Sequence, residues 1–361
     1  MPPTETKLDM TEDIADKAID FMFKSPSATI KVEFQGGESL LNFKIVKYIV
    51  EKVIQRNTTE NRQVEFVITS NLSNLTRDIL AYCYDKNIYF STSLDGPKEL
   101  HNYNRPRLNG DSYEEVVYGI SLVRNHLGSD KISALMTTTR KSLEFSKEII
   151  DEYIKQGFCS IFLRPINPYG YAAKCKYEFT YSVESWLDFY RNCIDYILEL
   201  NKAGVSFRED FAALILRKVL TPFPTGFVDL QSPAGLAISG IVFNYDGKIY
   251  PSDESRMLAA MGDKTFCIGD LNQNTFGEVM LSDNLLSILM DSMTEGVPEC
   301  YECGFQPYCG ADPVRHYRTQ GDIVGYKPLS DFCNKNKGVI TYLLNLLEKP
   351  EISSILKSWA N

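Results

Sequence analysis

Several things are scarce in this chain of 361 residues. It has only three histidines and two tryptophans. His101 and His316 fall within motif-like stretches, but neither has a ligand's spacing, so both are expected to be structural. No run approaches the ~20 apolar residues needed to cross a bilayer, so no membrane association is expected. The first residues, MPPTETKLDMTED, lack the apolar core of a signal peptide. A cytoplasmic location is therefore expected, where thiols stay reduced. Positive charge is in deficit, with a net charge of −9, which argues against a phosphate-backbone partner and hence against nucleic acid. No GxGxxG follows any predicted strand, which argues against a dinucleotide fold.

What is present is a repeated alternation. Period-2 strands are expected in ATIKVEFQGG, QVEFVITSN, IYFSTSLDG, KISALMTTT and SIFLRPINPYG. Helical stripes lie between them, one with Asp111 as its N-cap. Repeated βα units demand a parallel sheet with right-handed crossovers. The expected fold class is α/β, a partial (β/α) barrel with a small cysteine-rich C-terminal domain. The expected boundaries are 1–170 for the barrel, 171–225 for a helical bridge, 226–345 for the cysteine-rich domain and 346–361 for a tail. Within the third segment, Asp246-Gly247 predicts a hairpin with a type I′ turn.

Ligands of parallel barrels gather at the C-terminal ends of strands. Those ends read QGGES (35–39), TSN (69–71), SLDGP (93–97), TTTR (137–140) and RPINPYG (164–170). Any one of them could be an ordinary turn; all five being polar or glycine-rich points to a polar small-molecule site. Nine cysteines are present. Cys83 and Cys193 lie on apolar helix stripes and read as core, and Cys159, Cys175 and Cys267 are scattered. Cys300, Cys303 and Cys309 cluster, and Cys333 is the next cysteine. Four thiolates suit either a [4Fe–4S] cluster or a structural zinc.

The ordered set GGES, TSN, SLDGPKELHNYNRP, RPINPYG and Cys-x2-Cys-x5-Cys resembles radical S-adenosylmethionine enzymes with a C-terminal SPASM domain. Within that class, NYDGKIYPSDESRMLAAMGD and PYCGADPVRHY look most like the maturases of His-Xaa-Ser repeat systems. The resemblance implies S-adenosylmethionine as cofactor and a peptide or small-protein substrate, with a His-Xaa-Ser repeat peptide and a second maturase as candidate partners. It implies that Gly36 and Gly37 admit the methionine moiety and that Glu38 accepts from its ammonium. Ser93, with Asn71 near it, would bond ribose or carboxylate. Asp95 belongs to the same strand end, Arg105 would pair with the carboxylate, and Arg164 would border adenine and substrate.

Two departures stand out. The CxxxCxxC that holds the radical-generating cluster in such enzymes is absent from these residues, which suggests a chain shortened at its N-terminus, with a barrel lacking its first strand. A catalytically inactive peptide-binding scaffold is the competing expectation. Positions that would ligate a first auxiliary cluster are Ser252, Pro313 and the neighbourhood of Pro233. The four ligands of a second cluster, Cys300, Cys303, Cys309 and Cys333, are all in place. One auxiliary [4Fe–4S] cluster is therefore expected, with zinc as the alternative occupant.

Overall fold

The computed structural model describes residues 8–108, 110–170 and 180–360. The described chain begins with helix α1, Glu12–Met22, whose N-cap Thr11 accepts from the amide of Ile14. Strand β1 (Thr29–Phe34) leads to α2 (Phe43–Glu60), β2 (Gln63–Thr69), α3 (Arg77–Asp85) and β3 (Tyr89–Ser93). Then come α4 (Lys98–Asn104), α5 (Ser112–Leu127), β4 (Ile132–Thr138) and α6 (Ser146–Lys155). As expected, Asp111 caps α5, accepting from the amide of Glu114.

The strands form a parallel, curled half-barrel in the order β1-β2-β3-β4-β6, where β6 is Leu163–Pro165. Register is fixed by side-chain alternation: Thr29 pairs with Gln63, Val67 with Tyr89 and Phe90 with Ile132. On β4, Ile132, Ala134 and Met136 are buried, while Ser133 and Leu135 face the other way. The opposite face mixes polar residues with Val67, Tyr89 and Leu135. Lys31, Glu33, Glu65, Ser91 and Ser133 line a hollow of about 330 Å³. Among the described residues, β1 pairs only with β2, so the outer edge of β1 carries no strand.

The stretch expected as one fifth strand is split into β5 (Ser160–Ile161) and β6 (Leu163–Pro165). Phe162, between them, packs against Phe211 and Phe227. Segment β5 pairs instead with β7 (Arg208–Glu209). Leu163 donates its amide to the buried carboxylate of Glu209, which also receives the hydroxyl of Tyr190. A buried acid thus secures the switch between partners.

Beyond β6 lie α7 (Val183–Lys202), β7, α8 (Asp210–Leu220), β8 (Val242–Phe243) and β9 (Lys248–Tyr250). The chain continues as α9 (Asp253–Ala260), β10 (Gly269–Asp270), α10 (Phe276–Met280) and α11 (Asp283–Asp291). It ends with α12 (Pro313–Gln320), α13 (Asp331–Leu347) and α14 (Pro350–Trp359). The stretch expected as a tail is thus largely helical, with Ile352, Leu356 and Trp359 buried. The β8–β9 hairpin forms, but not with a type I′ turn. Only Gly247 takes a positive φ, of 82°. Asp246 instead uses its carboxylate to accept from Asn244 and from the amide of Lys248.

The described chain divides into two compact units. One holds residues up to 136 together with 244–248 and 270–276; the other holds 137–243, 249–269 and 277 onward.

Candidate functional site

In the first unit, polar groups at the strand ends bind one another. Gly36 has φ +154°, a conformation reserved for glycine, and a side chain there would meet only open space. The carboxylate of Glu38 links two strand ends. It accepts from the amide of Leu40 (3.1 Å), the hydroxyl of Ser70 (2.7 Å) and the amide of Asn71 (2.9 Å). A carboxylate has about four acceptor sites, so Glu38 retains room for one more donor. The Asn71 side-chain oxygen accepts from the amide and hydroxyl of Ser73. Ser93 closes β3 opposite Leu135.

Sequence reasoning placed Asp95 and Arg105 in one motif without pairing them. The structure joins them: Arg105 Nε and Nη2 reach the two Asp95 oxygens at 2.8 and 3.1 Å. Asp95 is only 1% exposed. Its amide donates to Nδ1 of His101, which fixes that nitrogen as the unprotonated one. Burial pulls the pKa of His101 down to about 4, so the ring is neutral. His101 has the structural role expected of it. Arg105, expected to meet a ligand carboxylate, has its planar fork closed on Asp95, and only the remaining N–H groups face outward.

The candidate metal-binding residues lie in the second unit. Cys300, Cys303 and Cys309 sit on successive tight turns; the amide of Cys303 donates to the carbonyl of Cys300, and that of Cys309 to Gln306. Cys333 sits in the first turn of α13, its amide capped by the Ser330 hydroxyl. All four thiols are free and line one cavity with Phe305, Phe332, His316 and Lys327. Asn336, buried on α13, donates to the sulfur of Cys309 at 3.4 Å. Lys218 donates to the carbonyls of Leu230 and Cys309 and so ties down the loop. Burial raises the pKa of Cys300 and of Cys333.

Among the described residues, no three His, Cys, Asp or Glu side chains converge on a single metal ion. A lone zinc needs its sulfurs about 2.3 Å from one point. His316 meets the Ser330 hydroxyl through Nε2 at 2.8 Å, and its Nδ1 is buried without a hydrogen-bond partner. Cys83 and Cys193 are fully buried, as expected of core residues. Cys159 is exposed, Cys267 is half-buried, and Cys175 lies outside the described residues.

The positions lacking thiolates have other duties. Ser252 begins α9 in a reciprocal cap with Ser255. Pro313 opens α12 behind its N-cap, Asp312. Ala234, next to Pro233, is fully buried in a core with Tyr169, Leu258, Ala311 and Val314. Nearby, Arg164 pairs with Glu254 at 2.9 Å. Asp229 is pushed up to about 7, by burial first and then by the charges of Asp312 and Glu254. This acidic and basic group was not visible in the sequence, because its members come from four separate segments.

No protein-family profile matches the chain. A cysteine-type anaerobic sulfatase-maturating enzyme of Clostridium novyi is 20% identical over 358 residues, covering 94% of this chain and 88% of the relative. Its counterpart in Clostridium perfringens strain 13 is 21% identical over 340 residues, covering 92% and 86%. The radical SAM cyclopropyl synthase TigE of Paramaledivibacter caminithermalis is 22% identical over 138 residues, 38% of this chain and 28% of that one. Among solved structures, native anSMEcpe with bound AdoMet superposes with a TM-score of 0.77 at 16% identity, covering 97% and 91%. Streptococcus suis SuiB bound to its precursor peptide SuiA gives 0.59 at 14% identity, covering 87% and 67%. The fold of this chain is that of these enzymes.

Proposed function

We propose that this chain is the barrel and auxiliary-cluster portion of a radical S-adenosylmethionine peptide maturase. One observation carries the reading: four cysteines brought from two separate segments line a single cavity. They do so in a chain whose fold matches enzymes solved with AdoMet and with peptides. In this reading, Cys300, Cys303, Cys309 and Cys333 hold one auxiliary [4Fe–4S] cluster. Gly36, Gly37, Glu38, Asn71 and Ser93 border the cofactor, and Asp95 orients Arg105 beside it. Arg164 faces the substrate. S-adenosylmethionine, when bound and reduced, would supply a 5′-deoxyadenosyl radical that takes a hydrogen atom from the peptide.

The CxxxCxxC triplet does not occur in these 361 residues, so the radical-generating cluster needs cysteines from outside them. The finer reading, from the sequence, is a ribosomally made His-Xaa-Ser repeat peptide as substrate. Anaerobic reconstitution tests the proposal, followed by titration with S-adenosylmethionine and with such a peptide. Iron–sulfur absorbance together with peptide binding supports it. Tight zinc without iron uptake would leave an inactive peptide-binding scaffold.

A further inference from the structure

The cavity lined by Cys300, Cys303, Cys309 and Cys333 also has Glu299, Lys327 and Lys337 in its wall. Glu299 and Lys337 are exposed, so water screens them. Lys327 is 7% exposed. Its ammonium donates to the carbonyl of Val324, and among the described residues it forms no ion pair. Burying a charge without a partner is costly, and lysines that are buried are nearly always paired. The anions within reach are the thiols that share its cavity, because each becomes a thiolate when a cation binds.

Asn336 makes a second, independent contact with the same group. It is fully buried on α13, and its side-chain nitrogen donates to Cys309 Sγ at 3.4 Å. Its Oδ1 is buried with no hydrogen-bond partner. That oxygen therefore does not hold the amide in place, and the sulfur is the polar group the side chain turns toward. Lys218, which donates to the Cys309 carbonyl, holds the loop that presents this sulfur. An N–H aimed at a sulfur and a buried ammonium act in the same direction, since each stabilises negative charge on the thiolate set.

We propose that Lys327 is the buried counter-charge of the four-thiolate centre, and that Asn336, through Cys309, supports it, so that together they favour the centre's reduced state. An oxidised [4Fe–4S] core with four thiolates carries two negative charges, and one electron from a low-potential donor makes it three. No bond is made or broken in that step, and no proton is needed. The redox consequence rests on the cluster reading of these four cysteines; the counter-charge does not.

The test uses the full chain, anaerobically reconstituted and titrated with dithionite, with the midpoint potential read from the iron–sulfur absorbance. Lys327→Met should shift the reduction equilibrium at least tenfold toward the oxidised state, about 59 mV for a one-electron couple. Lys327→Arg, which keeps the charge, should restore most of that shift. Asn336→Leu should move the potential in the same direction by less. Lys337→Met, at an exposed position, should move it little. If Lys327→Met does not fold, Lys327→Gln takes its place. A parent-like potential in a fully loaded Lys327→Met, or an equal shift in Lys337→Met, would overturn the counter-charge and leave the cluster reading standing. No iron uptake by the parent chain would sink the cluster reading instead. The counter-charge is then read with cobalt(II) alone, whose four-thiolate complex is also an anion. Lys327→Met should weaken cobalt binding at least threefold, and equal affinity would overturn the proposal. Uptake of neither metal would overturn both.

Discussion

Arg105 holds Asp95 through both carboxylate oxygens, and Asp95 is almost fully buried. The pair clamps the loop after β3 to the end of α4. Arg105→Ala would leave a buried carboxylate without its cation. Because the Arg105 side chain is 38% exposed, water offsets part of the loss. A destabilisation of roughly 2 kcal/mol is expected by chemical denaturation. Arg105→Lys should recover only part of it, because an ammonium cannot bridge both oxygens. Unchanged stability in Arg105→Ala would show that the clamp is not structural.

Iron content tests the four-cysteine proposal. Anaerobic reconstitution should give about four irons per chain. Cys333→Ala should reduce incorporation and loosen α13, because ligand binding and folding are coupled. Cys83→Ala should leave the iron count unchanged, since that thiol is fully buried and burial pushes it up to about 12. Equal losses in the two variants would remove the basis for a defined site.

Gly310 follows Cys309 and lies against the backbone of Asp229. A Cβ there would come within 2.4 Å of the Asp229 carbonyl oxygen. Gly310→Ala must therefore displace the loop that carries Cys309. Reduced iron uptake is expected with little loss of helical circular dichroism. Full uptake would mean that the loop has slack the structure does not show.

Glu209 is fully buried, and burial raises its pKa to about 7 from an ordinary carboxyl value of 4.5. The folded chain therefore holds this proton more tightly than the unfolded chain does. The stabilising contribution is complete below about pH 4.5 and is lost as pH rises toward 7. The total change is about 3 kcal/mol. Denaturation at pH 5 and pH 7.5 should show this fall, and Glu209→Gln should flatten it. An unchanged slope in the variant would assign the effect elsewhere.

The alternation of apolar residues determined the strands, the helices between them and the parallel sheet, because period and burial are local properties of the chain. Cysteine spacing marked Cys300, Cys303 and Cys309 as one group, since short loops return their thiols to the same side. Tertiary structure decided the rest. Phe162 splits the fifth strand because its ring joins Phe211 and Phe227, which lie about fifty residues or more along the chain. Arg105 closes on Asp95 because the α4 turn brings its fork to a buried carboxylate that a linear motif does not reveal. Arg164 and Glu254 pair only after segments 90 residues apart have folded together. No sequence period records such a meeting, because the forces that join these groups act through space.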